Sequence, residues 1–237
     1  MSTNGRKTPG GEISHRTLHF IWIVDCSGSM GCDGKIQTLN MAIKEVIPHM
    51  KNAADENPQT KVLVRAVSFS NGARWHIAQP TPVENFTWND LSANGCTDMG
   101  KALSMVGEQL SLLSPNERGC PPVLVLVSDG QPTDDFEAGL NDLMNQNWGK
   151  KAVRVAIAIG HDANYELLQK FIGHSEFTPL QANNPEALIK RIIWASTVPI
   201  KAISSPPSQI KGTSVTGVNI PLPVAPPAEI TSANDVW

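Results

Sequence analysis

The 237-residue sequence predicts an α/β fold: a doubly wound, mostly parallel central sheet with one antiparallel edge strand and helices on both faces. Three observations predict it. The apolar runs Ile21-Trp22-Ile23-Val24 and Pro122 to Val127 (PVLVLV) lack any polar alternation, as strands buried on both faces do. Strand-like and helix-like stretches alternate along most of the chain, the pattern of a parallel sheet wrapped by helices. Both apolar runs stop abruptly in hydroxyls and a carboxylate, at Asp25-Cys26-Ser27-Gly28-Ser29 and at Ser128-Asp129-Gly130. In open parallel sheets, ligands bind beyond the carboxyl ends of the strands.

Taken in order, Thr17 to Val24 is the first strand. Lys35 to Lys51 follows as a helix, with Ile36, Leu39, Ile43, Val46, Ile47 and Met50 at helical spacing. Pro48 should kink or tighten its end, because proline removes an intrahelical donor. Lys61 to Phe69 alternates as a strand. After the Ser70-Asn71-Gly72 turn signal, Arg74 to Ala78 reads as a short strand returning beside it, the antiparallel edge. Met99 to Leu113 carries Met99, Ala102, Leu103, Val106, Leu110 and Leu113 on one helical face. Pro122 to Val127 is the next buried strand and Asp134 to Gln146 a helix whose acidic first turn suits the helix dipole. Ala152 to Ile159 is a third buried strand, Tyr165 to Ile172 a short helix and Phe177 to Leu180 a candidate edge strand. Pro185 to Ala195 is a final helix with proline in its first turn.

These elements divide the chain into a flexible polar arm (1–16), one domain (17–197) and a proline-rich tail (198–237). The tail holds Pro199, Pro206, Pro207, Pro221, Pro223, Pro226 and Pro227, a composition that favours extended backbone over a core of its own. Its aliphatic residues and Trp237 suit it equally to lie along a surface. With 41% hydrophobic and 17% charged residues the composition is ordinary for a globular protein. A net charge of -3 and the lack of any Lys/Arg block argue against nucleic acid or anionic membrane as partners. No apolar run reaches the roughly 18 residues of a spanning helix, and the first residues do not read as a signal peptide. The expectation is a cytoplasmic protein, in which Cys26, Cys32, Cys96 and Cys120 are reduced thiols. Cys26 and Cys96 read as small buried loop-packing residues.

Chemistry concentrates in three loops: Asp25-x-Ser27-x-Ser29, Gly95-Cys96-Thr97-Asp98 and Ser128-Asp129-Gly130. Asp25, Ser27 and Ser29 offer oxygen but neither thiolate nor imidazole, which suits Mg2+ or Mn2+ better than zinc. Turn and cap roles explain any one loop but not the three together. The octapeptide Gly28 to Lys35 (GSMGCDGK) has one residue too many for a phosphate-binding loop, and Ile36 stands where a Ser/Thr is needed. No Gly-x-Ser-x-Gly elbow, HExxH or paired CxxC occurs.

The three loops resemble the metal-ion-dependent adhesion site of von Willebrand factor A domains, in element order from about Thr17 to Thr197. Within that superfamily DCSGSM, GKIQTLNMAI, TDMGKAL and VLVSDGQPTDD are most similar to bacterial TerY-like proteins associated with tellurium resistance. The sequence departs from that pattern at Cys96, where relatives often carry glycine, and in its tail. The resemblance implies that Asp25, Ser27, Ser29, Thr97 and Asp129 hold Mg2+, with Mn2+ as an alternative. It implies a non-catalytic adaptor whose metal takes an Asp or Glu of a partner protein, in a stress-response or phage-defence complex with a protein kinase and a PP2C-type phosphatase. The alternative is a phosphatase or hydrolase using the same metal as a Lewis acid. Beyond the metal residues, the loops offer only Asp33, Asp98, Asp134 and Asp135 as a base.

Overall fold

In the computed structural model, which describes residues 15–113, 119–205, 222, 223, 225 and 237, the run ending at Asp25 is the central strand β1 (Arg16–Asp25). Leu18, Phe20, Trp22 and Val24 enter one core and Ile21 and Ile23 the other. A strand with no polar face must be covered on both sides, because successive side chains point opposite ways. β1 pairs in parallel with β2 (Thr60–Ser70) on one side and with β4 (Val123–Ser128) on the other. β5 (Val153–Ile159) and β6 (Leu180–Ala182) continue the sheet in parallel. β3 (Gly72–Pro82) turns back at Gly72 and closes the other edge antiparallel to β2. The six strands lie in the order β3-β2-β1-β4-β5-β6, so the winding reverses between β1 and β4. That reversal is where a doubly wound sheet opens a crevice.

One face of the sheet is covered by α1 (Lys35–Asp55) and α6 (Pro185–Ser204), through Leu39, Ile43, Val46, Leu188 and Ile192. The other is covered by α2 (Met99–Ser111), α3 (Phe136–Asn145), α4 (Asn147–Lys151) and α5 (Tyr165–Ile172), through Leu103, Val106, Leu143, Trp148 and Phe171. α2 and α3 cross at glycine: a Cβ on Gly139 would stand 2.1 Å from the Gly100 carbonyl oxygen. Only backbone fits there, and α2 is thereby fixed with its N-terminus beside the strand ends.

The expected elements occur in the expected order, with α4 as an addition, and the other differences are at the ends. α1 passes through Pro48 to Asp55 without breaking, since burial of Val46, Met50, Ala53 and Ala54 outweighs one missing hydrogen bond. β3 runs eleven residues instead of a short Arg74–Ala78 stretch, with register shifts around Ala66. The edge strand is Leu180–Ala182 and not Phe177–Leu180; Phe177 packs against the helical layer instead. The helix expected from Asp134 begins at Phe136, because Asp135 caps it by accepting from the Ala138 N–H, and α4 follows it separately. α6 continues beyond Ala195 and Thr197, through Pro199, to Ser204, because Ile200 and Ile203 are buried. The boundary placed at 197 therefore falls inside a helix.

Most of the tail and residues 1–14 of the arm lie outside the described residues. Of the tail residues that are described, Leu222, Ala225 and Trp237 pack against the core that contains α1 and α6. The Trp237 indole N–H donates to the Asp33 carbonyl at 2.9 Å, and its backbone N–H to the Asn183 carbonyl at 3.3 Å. No helix among the described residues is long and apolar enough to cross a membrane.

On β1, burial and the Arg65 guanidinium hold the His19 imidazole at a pKa of about 4, below its ordinary 6.5. The folded protein therefore carries fewer protons at this position than the unfolded chain between those two values. The His19 contribution to stability is full above pH 6.5 and is lost as pH falls through that window, by on the order of 3 kcal/mol in all and about 2 kcal/mol by pH 5. Between about pH 7.5 and pH 5, urea unfolding should show the wild type faring worse than His19→Gln by about 2 kcal/mol, while the raised pKa of Asp25 shifts stability the opposite way in both proteins. The same change in both proteins would assign the pH dependence to other groups.

Candidate functional site

The site is built where β1 and β4 end side by side. Val24 is opposite Val127 in the ladder, which places Asp25 next to Ser128. The Ser128 hydroxyl donates to Asp25 Oδ2 at 2.5 Å, and the Ser27 backbone N–H donates to Asp25 Oδ1 at 2.8 Å. Asp25 is fully buried, and this burial raises its pKa to about 6 despite the hydrogen bonds from Ser128 and Ser27. It is the last residue of β1 and not, as expected, a residue of the loop beyond it. Asp129, the first residue past β4, is equally buried. Its Oδ1 accepts from the Ser29 hydroxyl at 2.7 Å and its Oδ2 from the Lys35 ammonium at 2.8 Å. The Ser27 and Ser29 hydroxyl oxygens are 3.1 Å apart.

The first loop is not irregular. Residues Gly28–Gly34 form 3-10 turns, kinked at Cys32 and Asp33, with Asp33 itself at φ 51° and Gly34 at φ 73°. This left-handed pair turns the chain sharply into α1 and sets Lys35, the first residue of the helix, to face back toward Asp129. Backbone hydrogen bonds from Gly28 N–H to the Gly95 carbonyl and from Asn94 N–H to the Cys26 carbonyl, both 2.9 Å, hold this loop to the one carrying Thr97. Thr97 is buried and tied to Thr133: its N–H donates to the Thr133 hydroxyl and its carbonyl accepts from the Thr133 N–H, again at 2.9 Å. Gly130 leaves the space between these groups open. A Cβ there would lie 3.7 Å from Ser29 Oγ and 3.8 Å from Thr97 Oγ1.

Asp25, Ser27, Ser29, Thr97 and Asp129 are thus gathered at one end of the sheet. Three of the other loop carboxylates have structural tasks. Asp98 accepts from the Gly72 N–H, the Thr133 hydroxyl and the Lys101 ammonium, and the lysine above all holds its carboxyl below the usual range. Asp134 accepts from the Gly100 and Lys101 N–H groups at the start of α2, and Asp135 caps α3. Asp33 is exposed. Among the described residues no group of three or more His, Cys, Asp or Glu side chains is placed to hold a metal. A cation at the strand ends would therefore depend on the hydroxyls as well as the two carboxylates.

Two residues of the cluster were not anticipated. Ser128 gives no signal beyond its place before Asp129. Lys35 stands out in the sequence only within a failed phosphate-loop pattern, yet its ammonium is buried against Asp129. Of the cysteines, Cys26 is buried, donates to the Phe69 carbonyl at 3.2 Å and has its thiol pKa pushed up by burial, as a packing residue should. Cys96, expected to be buried with it, is exposed, as is Cys32.

A family model described as von Willebrand factor type A domain matches residues 21–190. No curated relative matches the chain. Among solved structures, the ArnB paralog VWA2 from Sulfolobus acidocaldarius superposes with a TM-score of 0.57 at 18% identity, over 76% of this chain and 45% of that one. A von Willebrand factor type A protein from Catenulispora acidiphila gives 0.59 at 19% identity, over 79% and 43%. Proximal thread matrix protein 1 from the mussel byssus, with a zinc-occupied MIDAS motif, gives 0.54 at 15% identity, over 80% and 47%. The chain spans less than half the length of each of these proteins.

The Ser128–Asp25 hydrogen bond joins β4 to β1 beneath the site. Ser128→Ala leaves a buried carboxylate oxygen without its donor, which should cost roughly 1–3 kcal/mol in urea unfolding at neutral pH. An unchanged unfolding midpoint would mean that Asp25 finds another donor.

Proposed function

The chain belongs to the von Willebrand factor type A domain family, and on that premise we propose that it is a non-catalytic protein-binding adaptor whose clustered oxygens hold Mg2+ for an acidic residue of a partner. The observation that carries this reading is the donor set at the β1–β4 junction: two buried carboxylates, Asp25 and Asp129, with the hydroxyls of Ser27, Ser29 and Thr97. All are hard oxygen ligands, and Gly130 keeps a side chain out of the space beside them. When bound, the metal supplies an electrophilic centre whose coordination shell is left incomplete by few anionic ligands and so favours an incoming carboxylate. Mn2+ has the same ligand preferences and is the alternative ion. The mussel protein's zinc-occupied motif is consistent with a divalent ion at such a site, although an all-oxygen set is less suited to zinc than to magnesium.

The adaptor reading is favoured over a metal-dependent phosphatase or hydrolase by the employment of the neighbouring acids. Asp98, Asp134 and Asp135 are engaged as backbone acceptors, so each would have to give up a structural bond to act as a base. By their sequence likeness to TerY-like proteins, the loops further support a cytoplasmic role in a kinase and PP2C-type phosphatase complex responding to stress or phage.

Calorimetric titration with Mg2+ tests the site. Asp129→Ala should lower affinity by about 100-fold or more and Thr97→Ala by about 10-fold, with both proteins folded by circular dichroism. Unaltered affinity in both variants would refute the metal assignment. Adaptor and enzyme separate in a second measurement: phosphoester and peptide substrates with Mg2+ or Mn2+ should show no turnover above a blank. Turnover that disappears in Asp129→Ala would replace the adaptor with the enzyme.

A further inference from the structure

We propose that Lys35 is a built-in counter-cation of the metal site: it neutralises Asp129 when no divalent ion is bound, weakens the site's affinity for that ion, and makes the loaded site more electropositive toward an acidic partner. This rests on the metal reading given above. The Lys35 Nζ lies 2.8 Å from Asp129 Oδ2, with the side chains only 8% and 0% exposed. This is the one buried pair among the ion pairs described; each of the others has at least one partner close to half exposed or more. A lysine ammonium is costly to bury without a partner, so its placement is set by the carboxylate.

The local backbone is shaped to deliver it. The Asp33–Gly34 turn, both residues at positive φ, starts α1 immediately at Lys35, so the side chain reaches across the strand ends from the first helical position. The turn is anchored from outside by the Trp237 indole on the Asp33 carbonyl. On its far side the ammonium meets Gly160 at the end of β5: a Cβ there would lie 3.6 Å from Lys35 Nζ and 3.5 Å from Trp237 Cβ. The ammonium thus lies near the ends of both β4 and β5, and with its side chain 8% exposed it is largely shut off from solvent.

Charge counting gives the consequence. Asp25 and Asp129 contribute two negative charges and Lys35 one positive, so the cluster is nearly balanced without a metal. A dication entering beside Asp129 must share that carboxylate with an ammonium or displace it, and either way meets a like charge a few ångströms off. The same charge leaves the loaded site net positive where two carboxylates alone would leave it neutral, and a partner's Asp or Glu is the group that relieves this. Lys35 thus trades metal affinity for stability of the metal-free fold and for affinity toward a carboxylate.

Titration of the wild type and Lys35→Met with Mg2+ alone, by calorimetry and by thermal unfolding, tests the proposal. Lys35→Met should bind Mg2+ about tenfold or more tightly than the wild type. It should unfold at a lower temperature than the wild type without metal and recover at saturating Mg2+. A second measurement needs no substitution: the 15N-ammonium NMR signal of Lys35 in the full-length wild type should shift or broaden as Mg2+ is added. Should Lys35→Met fail to fold, this signal decides. Equal Mg2+ affinity in the two proteins, or a Lys35 signal unmoved at saturation, overturns the role of Lys35 while leaving the metal site standing. Absence of Mg2+ and Mn2+ binding in both proteins removes the metal reading itself, and this inference with it.

Discussion

Two carboxylates buried at the ends of adjacent parallel strands are the constraint on which the rest of this structure depends. Leaving Asp25 and Asp129 without water is tolerable only if every lone pair that can be satisfied is satisfied. Asp25 takes a backbone N–H and a serine hydroxyl, and Asp129 takes a second serine hydroxyl and a lysine ammonium. The two solutions differ. Asp25 is solvated by neutral donors, and its raised pKa of about 6 records that burial outweighs them. Asp129 is solvated by a charge. An arrangement that holds two such groups close together at the mouth of a crevice stores electrostatic free energy, which is the physical basis of the metal site proposed above.

Around this pair the loops are stiffened by polar groups outside the set of five proposed donors. Asp98, Asp134 and Thr133 stitch the Thr97 loop to the β3 turn, to α2 and to the loop after β4. The glycine crossing of α2 on α3 brings that whole assembly close enough for the bonds to form. Hydroxyl ligands are weak individually, so they are useful only when their positions are fixed beforehand. Here, the rigidity comes from backbone acceptors and helix caps, and the sheet below supplies the platform. The tail adds a remote support: through Trp237 it contacts the turn that starts α1, so the rim of the site is tied to a segment far away in the chain.

The amino-acid sequence by itself determined the fold class and the order of the main elements, and it marked three polar loops, carrying Asp25, Ser27, Ser29, Thr97 and Asp129, that the fold gathers at one end of the sheet. Runs such as Ile21–Val24 and Val123–Val127 have no polar alternation, and a strand of that kind has only one environment open to it. The loops were legible because short polar stretches interrupt otherwise apolar strand ends, a local pattern, and the choice of five residues within them rests on the family resemblance. The lengths of β3, α1 and α6 were not legible, because Pro48 and Pro199 argue locally for a break that burial of Met50 and Ile200 overrides. Only the tertiary structure showed what each loop carboxylate bonds to: Asp98 and Asp134 take backbone N–H groups and Asp129 a serine hydroxyl and a lysine ammonium, tasks that follow from what the neighbouring strand or helix end presents to them. It also decided the place of Lys35. Its pairing with Asp129 spans 94 positions and exists because β4 lies next to β1 and the Asp33–Gly34 turn aims α1 across the strand ends, a coincidence of packing with no local signature.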